Sequence, residues 1–387
     1  MKEDLVLDFD TPCSDNILRS PLKNSGCVRL SLSNPDFGVE IIFEMASTNY
    51  RLLIPRHHSF IWIIFLLSLV SFQSVSQISD PIQKIISTLT VGPIPEDLLA
   101  TKTIALYDPS FTSKDLNQIQ TGFNQTGIDA VIYYPIDLPM CNRDVQKTLS
   151  DYLIKREIKY LCFLQKKEDV FEFTFTLFNK TKTLMDPGQA CWKMTGNTIR
   201  EVSLDVYRTA LNSQKRINML VSPIPEYDLT LRFIRGTRGE YYAIDLKIDK
   251  LGIIKTGQPD IDTALEEIFK NHYPFAYQFF EPNTEETDIR GKGFLFVLSF
   301  IHTRGLAAMD LLGYNISKVG SAIASVSYPN GEIQLKTLDA PTVIYKFFFK
   351  QLQNGNIYLG TRWDADPDWQ QALLNQIKGL KKELRIN

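Results

Sequence analysis

The feature that most constrains the fold is an alternation of apolar segments and helical patterns over residues 101–165. Thr103–Asp108, Ile128–Pro135 and Ile158–Gln165 are apolar runs of strand length. The intervening segments repeat apolar residues at helical spacing, first Leu116, Ile119 and Phe123, then Val145, Leu149, Tyr152 and Leu153. Because strands separated by helices of this length pair in parallel through right-handed crossovers, these residues predict a small α/β sheet.

Polar residues beside these segments predict where the helices begin and end. Ser113 and Asn142 are expected to cap the two helices, and Gly127 to end the first. Val170–Phe178 alternates apolar and polar residues, which indicates a strand with one buried and one solvent-exposed face. We expect it to turn back and pair antiparallel with the third strand. A helix at 198–213 closes this first domain.

The tract Ser222-Pro223-Ile224-Pro225 marks the boundary between a domain at 101–221 and a second domain at 222–387. The second domain contains several strand and hairpin patterns and two helical ones. They are the hairpins Leu229–Arg235 with Tyr241–Ile248, Ala324–Tyr328 with Glu332–Thr337 and Val343–Gln351 with Asn356–Arg362, the apolar strand Phe294–Ile301, and helices capped by Asp260 and Asp366. The predicted fold class is therefore α/β plus α+β: a small N-terminal α/β sheet domain, then a mixed, largely antiparallel α+β domain with a C-terminal amphipathic helix.

An uncharged apolar block at 59–72 follows Arg51 and Arg56 and precedes the small residues Ser74 and Ser76. A secretory signal peptide typically has a basic segment, then an apolar block, then small residues at the cleavage site, as this segment does. We expect that peptide to span 45–76, starting at Met45 and cleaved after Ser76. Residues 1–44, for which we predict no periodic element, would then be a mis-assigned N-terminal extension, and 77–100 a short helix and Pro-rich linker.

Two other interpretations of the apolar block stay open. Residues 59–78 could remain as an uncleaved anchor with 1–44 as a cytoplasmic tail, although a spanning helix needs roughly 20 apolar residues. The block could also be a buried core helix. We expect a periplasmic or secreted protein, with membrane association only for the uncleaved anchor.

Three cysteines follow the predicted cleavage point. Cys141 and Cys191 lie in predicted loops, and an exported protein could join them in a disulfide. The alternative is three free thiols, with Cys162 buried in an apolar run. Cysteine and histidine spacing gives no indication of a zinc site.

Charge and motifs limit the partners and cofactors. With 42 Lys and Arg against 44 Asp and Glu, the net charge of −2 gives no electrostatic basis for binding nucleic acid. The sequence lacks a phosphate-binding loop, a nucleophile elbow and a zinc-protease helix, so we predict neither cofactor nor metal. Asp364–Asp368 resembles the start of a calcium loop, but Trp369 and Asn375 replace the required Gly and Glu, which favours a loop with a helix cap.

The candidate catalytic residue is His302, at the end of the apolar strand. Asp310, Glu281 or Glu285 could act with it if the fold brought them within reach, which would make the protein an exported hydrolase. A structural histidine at a sheet edge is the alternative.

Two aromatic runs supply the candidate binding surface for a ligand or partner. Its residues are Tyr273, Phe275, Tyr277, Phe347 and Phe349. Successive phenylalanines on a strand face opposite sides, so an interior strand between two layers is the alternative. We expect an exported, non-enzymatic module that binds a protein or small ligand in the envelope; the alternative function is the hydrolase.

Overall fold

The computed structural model describes residues 27–34, 39–46, 81–213, 215–218, 221–227 and 229–386. The chain divides into two compact units, 1–74 and 75–387. Of the predicted signal peptide only Met45 and Ala46 are described, and the rest lies outside these ranges. Among the described residues, no helix has both the length and the apolar character needed to cross a bilayer.

The first unit contains an antiparallel hairpin in which β1 (Cys27–Asn34) pairs with β2 (Val39–Ala46). The expectation that this part of the chain has no periodic element is wrong. Val28, Leu30 and Leu32 alternate with polar residues, which is the two-residue period of a strand.

The first sheet of the second unit has the order β3-β8-β7-β6-β4-β5. Its strands are β3 (Thr90–Val91), β4 (Lys102–Tyr107), β5 (Asp129–Pro135), β6 (Ile158–Lys167), β7 (Val170–Leu177) and β8 (Ala190–Gly196). β4 is parallel to β5 and β6, and β7 returns antiparallel to β6 as predicted. The helices are α1 (Pro81–Ile86), α2 (Ser113–Thr126), α3 (Arg143–Lys155) and α4 (Ile199–Ser213), with a 3-10 turn at Leu98–Ala100.

Local capping explains the ends of α2 and α3. Thr112, rather than the predicted Ser113, caps α2, because its hydroxyl accepts from the amide of Asp115 while the Asp115 carboxylate accepts from the amide of Thr112. Gly127 ends α2 at a φ of 96°, a left-handed conformation that favours glycine. Asn142 caps α3 as predicted.

The second sheet has the order β11-β10-β12-β15-β16-β9. Its strands are β9 (Arg238–Gly239), β10 (Leu251–Ile254), β11 (Tyr277–Phe280), β12 (Phe296–Arg304), β15 (Val343–Gln351) and β16 (Ile357–Tyr358), and β13 (Ala322–Ser327) with β14 (Gln334–Asp339) forms a separate hairpin. β10 is parallel to β11 and β12, while β12, β15 and β16 are antiparallel, so the sheet is mixed.

Helices α5 (Pro259–His272), α6 (Glu286–Gly291), α7 (Gly305–Leu311) and α8 (Trp369–Glu383) accompany this sheet, with 3-10 turns at Ile244–Lys247, Ile316–Lys318 and Pro329–Gly331. The predicted fold class, α/β plus α+β with a C-terminal amphipathic helix, is confirmed.

Three local predictions in the second half are wrong. Residues 229–235 and 241–248 form no hairpin; the second stretch contains a 3-10 turn, and the strands of this region are the two-residue β9 and the later β10. α5 begins at Pro259 after Gln258, so the predicted cap Asp260 lies inside its first turn. α8 begins at Trp369 because Asp368, two residues after the predicted cap Asp366, accepts from the amide of Gln370.

Both sheets are covered on two faces. α2 and α4 pack on one face of the first sheet and α3 on the other. α5 and α8 cover one face of the second sheet. Its opposite face contributes Ile301 and Phe348 to a cluster that also contains Leu138 and Leu149, so one core crosses the predicted boundary at 221/222. β15 is therefore an interior strand, as the alternative interpretation of its aromatic run proposed.

Candidate functional site

A cavity of about 300 Å³ opens at the carboxyl end of β10. β10 pairs with β12 only as far as Gly252, opposite Val297. β12 continues, so Leu298–Phe300 forms one wall, while the loop between β5 and α3 and the start of α5 form others. The lining residues are Met140, Cys141, Asn142, Arg143, Gln146, Ile253, Ile254, Lys255, Thr256, Gln258, Ile261, Leu265, Pro282, Asn283, Leu298, Ser299, Phe300, Phe347 and Trp369.

The strand order of the second sheet reverses beside this cavity. The chain leaves β10 through α5 to β11 on one side, and then returns through α6 to β12 on the other side of β10. In open α/β sheets, the crevice beyond the carboxyl ends of strands where the order reverses is the usual ligand site. The cavity lies at that reversal.

Asn142 fixes the cavity wall formed by the β5–α3 loop. Its carboxamide oxygen accepts from the amide of Asp144 at 2.7 Å and so caps α3. Its amide group donates to the carbonyl of Phe300 at 2.8 Å and to the hydroxyl of Ser299 at 3.1 Å. One side chain thus starts a helix and binds the part of β12 that β10 leaves unpaired.

The cavity walls are mostly apolar, and the polar groups lie in the loops, at the start of α3 and at Ser299 of β12. The guanidinium group of Arg143 is exposed and makes no hydrogen bond or ion pair with any described residue, although it contributes to lowering the pKa of Glu285, which lies outside the cavity wall. Lys255 Nζ, in contrast, lies 2.7 Å from Glu266. No described lining residue is acidic, so Arg143 supplies a positive charge that no carboxylate of the cavity wall pairs.

Comparison with protein-family models, with curated proteins and with solved structures finds no match to this chain. The interpretation of the cavity therefore depends on its own geometry.

His302 is not part of an acid–base group. Its ring stacks on Tyr345, with centroids 3.9 Å apart and an interplanar angle of 4°, and its imidazole makes no hydrogen bond within the described chain. Burial lowers its pKa to about 4, partly opposed by Asp137. Asp137 itself binds Arg304 at 2.8 Å and Thr303 at 2.7 Å.

The carboxylates proposed to act with His302 lie elsewhere. Asp310 lines a different groove, beside α7. Glu281 is exposed after β11, and Glu285 binds Lys182. None of them forms a hydrogen bond or ion pair with His302 in the part of the chain that is described, so the predicted hydrolase group is not assembled.

The predicted aromatic surface is largely core. Tyr273 and Phe349 are buried among α5, α8 and β15, because alternate residues of β15 face these helices. Phe275 and Tyr277 are half-buried and pack against the same cluster. Tyr273 and Phe349 are too buried to form the predicted ligand or partner surface, whereas Phe347, also buried, lines the cavity.

The predicted disulfide is wrong, since Cys141, Cys162 and Cys191 are all free and buried. Cys191 lies on β8, whereas Cys141 follows β5, four strand positions away. At about 4.8 Å per position, β5 and β8 are about 19 Å apart across the sheet. Burial raises the pKa of all three thiols.

The acidic run after β16 has separate partners for its carboxylates. Asp364 binds Lys346 at 2.6 Å, Asp366 binds Lys336 at 3.1 Å, and Asp368 caps α8. Within the described ranges no cluster of three or more metal-ligating side chains occurs.

Sequence reasoning named Phe347 and Asn142 but missed the cavity residues 253–258, because it predicted no strand at β10. The available signal was the apolar run Leu251–Ile254, followed by Lys255-Thr256-Gly257 and by a proline at a helix start, which together indicate a strand, a loop and a helix. Arg143 was overlooked because an exposed arginine in a first helical turn has no distinguishing pattern.

Proposed function

We propose that the protein is an exported, non-enzymatic binding protein that holds a small amphipathic anion in the cavity at the carboxyl end of β10. Export is supported by the pattern of residues 45–76. The binding role is supported above all by one observation: an apolar cavity at the strand-order reversal with the unpaired Arg143 beside it.

The chemistry of the walls favours the ligand class. At about 300 Å³, the cavity is at the lower end of the range of about 300–1,000 Å³ for small-molecule sites. Leu265, Leu298, Phe347 and Trp369 would enclose an apolar body. Arg143 offers the planar fork that suits a carboxylate or a similar oxyanion.

The local backbone supports the same charge preference. Arg143 is the first residue of α3, and Gln258 directly precedes α5, so two helix N-termini border the cavity. Amides at helix N-termini favour a negative charge. Together with the absence of acidic groups among the described lining residues, this favours an anionic ligand.

The test uses two fluorescent probes that share a naphthylamine body. 1-Anilinonaphthalene-8-sulfonate carries an anionic group, whereas N-phenyl-1-naphthylamine is neutral. We expect Arg143→Ala in the full chain to weaken sulfonate binding at least tenfold, because a charged hydrogen bond contributes about 1.5–3 kcal/mol, and to leave the neutral probe unaffected.

Arg200→Ala is the matched control, because Arg200 is an exposed arginine of α4 that does not line the cavity. Near-UV circular dichroism excludes dye binding to a partly folded state. Equal loss of both probes in Arg143→Ala, or equal effects of the two arginine variants, would contradict the proposal.

A further inference from the structure

A second groove, of about 410 Å³, runs between residues 229–238 and α7 and is separate from the cavity above. Its lining residues are Tyr134, Leu138, Leu229, Thr230, Leu231, Arg232, Phe233, Ile234, Gly236, Arg238, Ala307, Asp310, Leu311 and Gly313. It shares no lining residue with the first cavity.

Residues 230–233 alternate as a strand does, although they belong to no sheet. Leu231 and Phe233 are buried, whereas Thr230 and Arg232 are exposed. This is the two-residue period of a pleated backbone with one buried face. The segment therefore has the burial pattern of an edge strand.

The backbone of this segment is held at both ends and is unpaired between them. Before it, Glu226 exchanges two backbone hydrogen bonds with β5, through Tyr133 N at 2.9 Å and Val131 O at 3.0 Å. After it, Gly236 N donates to the carbonyl of Gly355 at 3.2 Å. No backbone group of 229–235 bonds to any other described residue, so a row of donors and acceptors is available for an added strand.

We propose that this edge binds an extended peptide of a partner protein, which adds a strand between residues 229–235 and α7. Strand addition uses main-chain hydrogen bonds for affinity and flanking side chains for specificity. The unpaired backbone groups of 229–235 supply the main-chain hydrogen bonds. The apolar Ala307 and Leu311 of α7 form the opposite wall of the groove.

The charges beside the edge select an acidic peptide. Arg232 and Arg235 make no ion pair within the described residues, and Asp310 is the one acidic residue among those that line the groove. Arg238 binds Glu240 at 2.6 Å and lies 4.0 Å from the ring centre of Tyr314, yet its buried Nε has no acceptor. Arg238 is thus already paired, and Arg232 and Arg235 are the arginines left to meet the carboxylates of the bound strand.

The probe is a blocked hexapeptide of alternating glutamate and valine, added to the full chain. Without peptide, the amides of 229–235 are expected to exchange rapidly with deuterium; with it, the alternate amides that face the added strand should slow at least tenfold. A version N-methylated at the alternate residues whose amides would face the edge keeps the charge, but its methyl groups block the approach of the two backbones, so it should not protect these amides.

Charge is tested with a lysine–valine hexapeptide and two variants. The basic peptide should bind at least tenfold more weakly than the acidic one, and Arg232→Glu should reverse this preference, while Arg200→Glu should not. Equal binding of the N-methylated peptide, absence of protection at 229–235, or preference of the unmodified chain for the basic peptide would overturn the proposal. Arg143→Ala should leave peptide binding unchanged, so this test is independent of the proposed anion site.

Discussion

The ammonium group of Lys346 lies 2.6 Å from the carboxylate of Asp364, and both side chains are buried, with 0% and 2% of their surface exposed. Nζ also donates to the carbonyl of Leu359 and to Oε1 of Gln376, each at 2.8 Å. Burial lowers the pKa of Lys346 and raises that of Asp364. Because three acceptors match the three protons of an ammonium group, Lys346 in its charged form connects β15 to the loop of Asp364 and, through Gln376, to α8.

Replacing Lys346 by methionine should destabilise the protein by about 3–5 kcal/mol, because Asp364 then remains buried without its partner. Urea unfolding followed by far-UV circular dichroism measures the change. Lys102→Met is the control, since its pair with Glu157 is exposed and is worth less than about 1 kcal/mol. A loss at Lys346→Met no larger than at Lys102→Met would show that the buried pair does not stabilise the fold.

The bridge made by Asn142 gives a second prediction. Asn142→Ala should cost about 2–3 kcal/mol, because it removes the cap of α3 and leaves acceptors on Ser299 and Phe300 unpaired. Asn142→Ser keeps a capping oxygen and should recover about 1 kcal/mol of that loss. Chemical unfolding of both variants separates the two roles; equal stability would mean that the cap contributes nothing.

The lowered pKa of His302 predicts that the stability of the folded protein depends on pH. Its pKa of about 4 is below the ordinary 6.5, so the folded state keeps the ring neutral while the unfolded chain takes up a proton. Stability should therefore fall as the pH drops from about 6.5 to about 4. The full pKa difference corresponds to about 3 kcal/mol, which we discount to about 2 kcal/mol because the ring is partly exposed.

The replacement His302→Phe keeps a ring against Tyr345 but cannot titrate. Its free energy of unfolding, compared with that of the unchanged protein, should show a smaller loss between about pH 7 and about pH 4.5. His272→Phe, at an exposed histidine, should keep most of the dependence. An unchanged slope in His302→Phe would assign the dependence to other groups.

The sequence predicted the first sheet well because its signals are local. Apolar periodicity and the cap Asn142 determine α3 from neighbouring residues alone, and Val170–Phe178 shows its pairing by alternation. β8 and β10 were missed for different reasons. In β8, Lys193 and its partly buried neighbours show no clear alternation of apolar and polar residues. β10 is only four residues long, and it becomes a strand because β11 and β12 pair with it.

The candidate site was less predictable than the fold. Its walls come from segments more than 100 residues apart, such as Arg143 and Lys255, which only the tertiary structure brings together. The aromatic pattern of β15 indicated alternating faces correctly, but no local rule tells whether a face meets a helix or solvent. α8, which covers that face, begins 20 residues or so later, and the periodicity within β15 cannot predict which distant element packs against it.

The three described thiols should all be reduced and unreactive in the native protein. Cys141, Cys162 and Cys191 are buried, and burial raises the pKa of each thiol, which suppresses the reactive thiolate. Iodoacetamide labelling with peptide mass spectrometry should find them unlabelled under native conditions and labelled in guanidinium without reductant. A linked Cys141–Cys191 peptide would contradict the structure.

Filling the cavity should abolish ligand binding without unfolding the protein. Leu298→Trp replaces an aliphatic side chain by a larger indole ring, which would fill the cavity beside β12. We therefore expect both naphthylamine probes to bind at least tenfold more weakly, whatever their charge. Stability should change by less than about 1.5 kcal/mol, because the added atoms occupy the cavity rather than a packed core. Leu204→Trp, the same replacement at a leucine of α4 that is 41% exposed, is the control and should leave binding unchanged. Unaltered binding in Leu298→Trp would place the probe site outside the cavity, whereas a collapse of near-UV circular dichroism would show that the cavity is too small to accept the ring.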